Sequence, residues 1–344
     1  MKHLCVVSFI IITLSGCSIR ITSNKAHDGG VFRSTDYGET WQQRVFVRQE
    51  KKKVTTISDI GVASIISAPG NPEELTITTY DGGVYRTSNG TEQWNLTQLS
   101  SGTYSDFAYD ATNPATQYAA TGSMIMKSMD GGDRWERIYT ETRGETITAV
   151  VVDSYDPSRV YAGTNGGTLL KSANAGINWA SLFDVNDTVL AITPLPQDTR
   201  TIYVTTANKG VYRSMDTGTT WQQLEGLMHY SGAGQIHQLL LAGGTRNMYV
   251  ATSYGLLRSD DGGTSWTPIK TLVPFGTVPI QTVAIDPRAP SVIYFSVNNL
   301  IHKSEDNGAT WRTISVPTRR LITRLVINTT KDGELYLGTR KVKK

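Results

Sequence analysis

Cysteine is nearly absent from this chain. Two occur in 344 residues, Cys5 and Cys17, so everything beyond residue 17 holds together without a disulfide. Charge is sparse as well. Asp, Glu, Lys and Arg make up 18%, and the net charge is +3 with no long run of one sign, so nucleic acid has no electrostatic footprint to bind. Long apolar runs are missing apart from residues 4–14, a stretch too short to cross a bilayer comfortably. The later histidines, His27, His229, His237 and His302, share no ligand spacing, and with no thiol among them a zinc site has little support. A Walker loop and a serine nucleophile elbow are also lacking, so neither metal nor cofactor is expected. Glycine, by contrast, is abundant at 32, and Ser and Thr recur throughout, which favours short strands and many turns.

What the chain does have is a repeat. Its seven tryptophans each close a related octapeptide: STDYGETW, TSNGTEQW, SMDGGDRW, SANAGINW, SMDTGTTW, SDDGGTSW and SEDNGATW, at intervals of 53, 41, 44, 42, 45 and 45 residues. The shared positions are Ser34, Asp36 and Gly38 before Trp41; Thr87 and Asn89 before Trp94; Ser128, Asp130 and Gly132 before Trp135; and Ser172, Asn174 and Gly176 before Trp179. They continue as Ser214, Asp216 and Gly218 before Trp221; Ser259, Asp261 and Gly263 before Trp266; and Ser304, Asp306 and Gly308 before Trp311. Asn replaces Asp twice, and Thr91 stands where Gly is expected, with Gly90 one place earlier. The residue types suit a hairpin turn: a side-chain oxygen accepts backbone N–H groups at the bend, glycine takes a positive φ, and the indole packs over the turn. These positions are read as structural.

Four short strands are predicted around each turn. Residues 148–153 are apolar, Asp156-Pro157 turns the chain, residues 160–164 and 168–172 form the next two strands, and a fourth begins near Trp179. A tyrosine recurs in the second strand as Tyr118, Tyr161, Tyr203, Tyr249, Tyr294 and Tyr336. Four strands in about 40–45 residues is the size of a propeller blade. Residues 30–47 supply only a third strand, a turn and a fourth strand, while residues 321–339 supply only a first and a second. Joined, they make one blade and leave no open sheet edge. The expectation is an all-β chain: a seven-bladed β-propeller over residues 29–344, with four-stranded antiparallel blades.

The pattern S-x-D-x-G-x-x-W resembles the Asp box, or BNR repeat. Together with the Asp-Pro turns and tyrosine strands, it resembles the photosystem II assembly and stability factor family and its non-photosynthetic bacterial relatives. It is also similar to the propellers of sortilin-type receptors and of xyloglucan-cleaving glycoside hydrolases. The first likeness implies a non-catalytic scaffold that binds protein. Sortilin-type rings have ten blades, which this chain cannot supply. At the N-terminus, Lys2, the apolar stretch and Leu14-Ser15-Gly16-Cys17 resemble a bacterial lipoprotein signal. That implies removal of residues 1–16, a lipid on Cys17, a tether over residues 17–28, and anchoring to a membrane of the bacterial cell envelope. Each buried acyl methylene contributes about 0.8 kcal/mol to such an anchor. Ser18, where an Asp would imply the inner membrane, implies the outer membrane if there are two.

A shared repeat does not carry a shared function. Sialidases also bear Asp boxes, but the Arg-Ile-Pro motif of their active site is missing here. The xyloglucan-cleaving enzymes set two carboxylates across a cleft between two propellers, and this chain supplies one. Asp59, Asp106 and Asp187 lie near first strands as candidates for the carboxyl pair, roughly 5–9.5 Å apart, that glycosidases use. The leading expectation is a scaffold for an envelope protein, with a carbohydrate-active propeller, hydrolysing or binding glycan, as the alternative. Binding is expected on the long blade-to-blade connections. These carry Met228-His229-Tyr230 after Trp221, Val273-Pro274-Phe275 after Trp266, and Arg44, Arg48 and Lys51, Lys52 and Lys53 after Trp41. The first two follow consecutive blades, so their aromatics are expected to share a patch. A basic residue precedes each box (Arg33, Arg86, Lys127, Lys171, Arg213, Arg258 and Lys303), expected to cover its own blade's tryptophan or pair with a carboxylate, or else to form a basic rim.

Overall fold

The second strands are the most buried stretches of the chain. Val160–Thr164 (VYAGT) and Met248–Thr252 (MYVAT) are buried at every position, as strands packed on both faces must be. In the computed structural model, which describes residues 27–242 and 246–342, such strands form the middle of seven four-stranded antiparallel sheets. Cys17 and the proposed signal and tether up to residue 26 lie outside the described residues. The first strands follow one another round the axis, from Val62–Ala68 through Asp106–Tyr109, Ile147–Val152, Val189–Leu195, Ile236–Leu241 and Thr282–Asp286 to Leu321–Ile327, which returns to Val62–Ala68; each touches the next except that Ile236–Leu241 is met by the second strand of the blade before it, Asp198–Thr206. We number the blades 1 to 7 in that order.

Blade 7 is the composite one. Val31–Ser34 pairs antiparallel with Leu335–Arg340, from Val31 opposite Gly338 to Ser34 opposite Leu335, and the sheet is completed by Leu321–Ile327 inside and Gln42–Gln43 outside. Blade 7 also meets blade 1 without room to spare. A Cβ on Gly338 would come within 2.6 Å of the Val62 side chain, as one on Gly163 would come within 2.3 Å of Val189. In five blades the first strand bulges near its start, between Val62/Ser64, Ile147/Ala149, Val189/Ala191, Ile236/Gln238 and Ile322/Arg324, which bends the strand and increases its local twist.

The boxes explain the repeat. In each, the Ser or Thr hydroxyl accepts the N–H four residues on, at 2.8 Å from Gly308 to Ser304 for example, and donates to the Asp or Asn oxygen, at 2.7 Å in the Ser304–Asp306 pair. The same oxygen accepts the next N–H, at 2.8 Å from Thr310. Where a hydroxyl follows, at Thr40, Thr220, Ser265 and Thr310, the second carboxylate oxygen accepts it too. Asn89 and Asn174 have Gln93 and Asn178 at that place, so an amide with one acceptor oxygen suffices. Each box is also tied to its own blade's turn between first and second strands, as in Ala175 N–H to Ser158 O (2.8 Å) and, across the chain ends, Tyr37 N–H to Gly333 O (2.9 Å). Thr91, the exception, takes φ 77° in place of glycine, is fully buried, and its hydroxyl donates to no partner.

Four of the basic residues before the boxes pair with carboxylates, as expected: Arg33 with Glu334, Arg86 with Glu74 (3.6 Å), Arg258 with Asp260 (2.7 Å) and Lys303 with Glu305 (2.7 Å). Five reach into the next blade's box and donate to the carbonyl of its fourth residue: Arg33 to Gly90, Arg86 to Gly131, Lys127 to Ala175, Lys171 to Thr217 and Arg213 to Gly262. The second-strand tyrosine aims at the same carbonyl in several blades, Tyr118 at Ala175 (3.1 Å) and Tyr203 at Gly262 (3.3 Å). Ammonium groups lie over these rings, with Lys127 5.3 Å from Tyr118 and Lys171 5.5 Å from Tyr161. Tyrosine and cation together are an inter-blade latch, which accounts for their recurrence and leaves no free basic rim at those positions.

Candidate interaction face

Because strands within each blade alternate direction, boxes and first-to-second-strand turns emerge on one face, and blade-to-blade connections and second-to-third-strand turns on the other. The second face carries the sequence-predicted aromatics. After blade 4 the chain forms a single 3₁₀ turn, Glu225–His229, in which Leu227 is buried while Met228 is 47% exposed and His229 is exposed. Tyr230 follows, its hydroxyl donating to the Trp266 carbonyl at 2.9 Å. Its ring lies 5.3 Å from that of Tyr254, and Tyr254 stacks on Phe275 at 4.9 Å with an interplanar angle of 4°.

Thus residues from three connections, 230, 254 and 275, form one continuous aromatic run across blade 5. Gly255 makes the stack possible. Its φ is 152°, and a Cβ there would stand 3.0 Å from the Phe275 ring. Phe275 remains 39% exposed and Leu272 56% exposed, so one end of the run is open. Val273 is half-buried, its carbonyl accepting the Thr271 hydroxyl at 2.9 Å. Tyr254 was not singled out in the sequence, where it sits in an ordinary short turn between two strands.

Arg44 and Arg48 stand elsewhere. The segment after Trp41 forms an extra hairpin, Phe46–Glu50 with Lys53–Thr56, between blades 7 and 1. Arg44 pairs with Glu92 at 2.8 Å and with Gln42 at 2.9 Å, and Arg48 pairs with Glu50 at 3.3 Å. Neither joins the aromatic run.

The three candidate carboxylates have separate partners. Asp59 is bound by His27 (2.7 Å), Arg320 (3.0 Å) and Lys341 (3.5 Å). Asp187 accepts the N–H groups of Asn208 (2.6 Å) and Lys209 (2.9 Å) in the neighbouring turn of blade 4. Asp106 is half-buried beside the axis and crosslinks first strands, accepting the N–H groups of Val150 (2.9 Å) and Phe107 (2.9 Å). Burial pushes its carboxyl up to about 6 against those bonds and the nearby Arg324. Gln238 plays the same crosslinking part between blades 5 and 6, accepting Val283 N–H at 3.0 Å. Among the described residues Asp106 is the one carboxyl with a raised pKa, and no group of three or more ligands that could hold a metal occurs.

No family profile matches the chain. Among curated proteins it is 25% identical over 302 residues to the xyloglucanase Xgh74A of Acetivibrio thermocellus, covering 68% of this chain and 36% of the enzyme. The chain therefore spans about a third of that relative's length. Among solved structures, YCF48 bound to a D1 peptide has a TM-score of 0.63 at 12% identity and covers 83% of this chain and 94% of that one. YCF48 from Cyanidioschyzon merolae gives 0.63 at 14% identity, covering 82% and 96%. The GH74 xyloglucanase of Xanthomonas campestris gives 0.64 at 18% identity, covering 82% and 51%. These likenesses establish the propeller fold.

Proposed function

We propose that this chain is a non-catalytic, lipid-anchored propeller that binds a protein of the cell envelope, possessing one principal contact surface on blade 5. The observation that carries the reading is the Tyr230–Tyr254–Phe275 run with its open end at Phe275 and Leu272. Stacking and Gly255 fix the rings before any partner arrives, so little side-chain freedom is lost on binding. Rigid, half-exposed aromatics of this kind are the residues that dominate protein interfaces. The coverage of nearly whole YCF48 chains, one of them holding a peptide, agrees with a single ring acting as a platform.

Pull-down with residues 17–344 from envelope extracts tests this. A partner recovered by the wild type and lost with Phe275→Ala supports the reading, with a loss of about 2 kcal/mol, or roughly thirtyfold in affinity, expected for a central aromatic. The second reading, a carbohydrate-active propeller, draws on the xyloglucanase likeness. Release of reducing ends from xyloglucan, abolished by Asp106→Asn, would replace the first reading with it. Acyl chains on the Cys17 peptide, read by mass spectrometry, test the anchor separately.

A further inference from the structure

The anchor and the aromatic run leave one surface unassigned: the corner between blades 7 and 1. Four segments meet there at Asp59. His27 arrives at 2.7 Å from the N-terminal arm, Arg320 at 3.0 Å from the connection between blades 6 and 7, and Lys341 at 3.5 Å from the end of the last strand. Asp59 itself lies in the connection into blade 1. The extra hairpin stands beside this knot, and a groove of about 320 Å³ is lined jointly by His27, Gln43, Lys52, Val54, Thr56 and Ser58. At the hairpin's tip are Lys51, Lys52 and Lys53, all exposed, whose side chains make no hydrogen bond or ion pair among the described residues. Arg319, Arg340 and Lys341 add exposed positive charge nearby.

The carboxylates of the corner are largely engaged already. Glu50 faces Arg48 at 3.3 Å, and Asp28 and Asp59 share the buried Arg320, at 3.2 and 3.0 Å. Asp81, in the adjoining turn of blade 1, is the exposed exception. A chain with a net charge of only +3 thus gathers six exposed cations at the place where residue 27 enters the fold. From there, nine residues lead back to Cys17, at most about 36 Å of extended chain.

We infer that this corner docks on an anionic phospholipid surface and sets how the ring sits on its membrane. The inference rests on the lipid-anchor reading for the choice of membrane over other anions, since a tether of that length holds His27 and the hairpin close to the bilayer. A phospholipid surface attracts lysines over about a Debye length, some 10 Å at 0.1 M salt. Each lysine near it strengthens partition about fivefold, so three account for roughly a hundredfold. Docked in this way, the corner holds the connection-bearing face, with Phe275 two blades away, near the membrane plane, where a membrane-embedded partner is within reach.

The test uses residues 17–344 with Cys17→Ser, which keep the whole ring and remove the lipid, in co-sedimentation with vesicles of phosphatidylcholine with or without phosphatidylglycerol. Binding is expected only with phosphatidylglycerol, to fall as salt rises, and to drop roughly a hundredfold in K51Q/K52Q/K53Q. Arg134→Gln, on the box face, is expected to bind as the parent does, and matching melting curves confirm that the exposed substitutions leave the ring folded. Equal sedimentation with neutral vesicles, undiminished binding of the triple variant, or an equal loss with Arg134→Gln would each overturn the inference. A failed anchor appears separately, as an unmodified Cys17 in the full chain.

Discussion

Removing the hydroxyl of one box measures what the repeat contributes to stability. In Ser304→Ala the buried N–H of Gly308 loses its acceptor at 2.8 Å, and Asp306 loses a donor at 2.7 Å. An orphaned buried N–H costs about 1–3 kcal/mol and a lost charged hydrogen bond about 1 more, so roughly 2–4 kcal/mol is expected. Asp306→Asn is the matched contrast. An amide oxygen still accepts the Ser304 hydroxyl and the Thr310 N–H, as Asn89 and Asn174 do in their own boxes. Only the bond from the Thr310 hydroxyl to the second oxygen, 2.6 Å, is given up, and because both groups face water the loss is expected to be clearly the smaller of the two. Urea unfolding at neutral pH, followed by tryptophan fluorescence, reads both. Ser304→Ala within about 0.5 kcal/mol of the parent, or Asp306→Asn more damaging than Ser304→Ala, would refute the reasoning.

Three further outcomes follow from the same geometry. Box carboxylates sit below their usual range: Asp216 is held at about 2 by the N–H and hydroxyl of Thr220, and Asp261 and Asp306 at about 2 by the hydroxyls and N–H groups of Ser265 and Thr310. A folded pKa below the unfolded value of about 4 means that this stabilisation is complete above pH ~4 and disappears as pH falls toward 2. Acid unfolding in that window should be flattened by the triple change of Asp216, Asp261 and Asp306 to Asn, and an unaltered pH profile would contradict the assignment. Thr91→Gly should raise stability by about 1–2 kcal/mol by relieving a β-branched residue at positive φ and removing a buried, unpartnered hydroxyl; a lowered urea midpoint counts against it. Gly338→Ala forces a methyl against Val62 where the chain ends meet, and should cost about 1–3 kcal/mol in the same assay, whereas unchanged stability would mean a looser closure.

The ring was legible in the sequence because its determinants are local and periodic. Ser304, Asp306 and Gly308 act within one turn, so the pattern can be read without knowing any long-range contact, and the halves at 30–47 and 321–339 add to a blade by inspection. The latch was visible only as recurrence: the tyrosine and the basic residue were noticed, but that Lys127 reaches Ala175 depends on how one blade sits against the next. The candidate face was partly legible for the same reason. Tyr230 and Phe275 stood out in long connections, while Tyr254 lies in a short turn and joins them only through the stacking that Gly255 permits. Arg44 looked like a free cation until Glu92, in the next blade's box, came within 2.8 Å. Asp106 had no signal beyond lying near a first strand, since its burial is a property of the closed ring.

Photo-crosslinking from the interaction face tests the account most directly. With a benzophenone side chain at Phe275 and, in a second chain, at Met215, which is 60% exposed on the box face, irradiation of intact cells should yield a discrete protein adduct from position 275 and none from 215. No adduct from 275, or the same adduct from both positions, would contradict a platform that recognises its partner through blade 5.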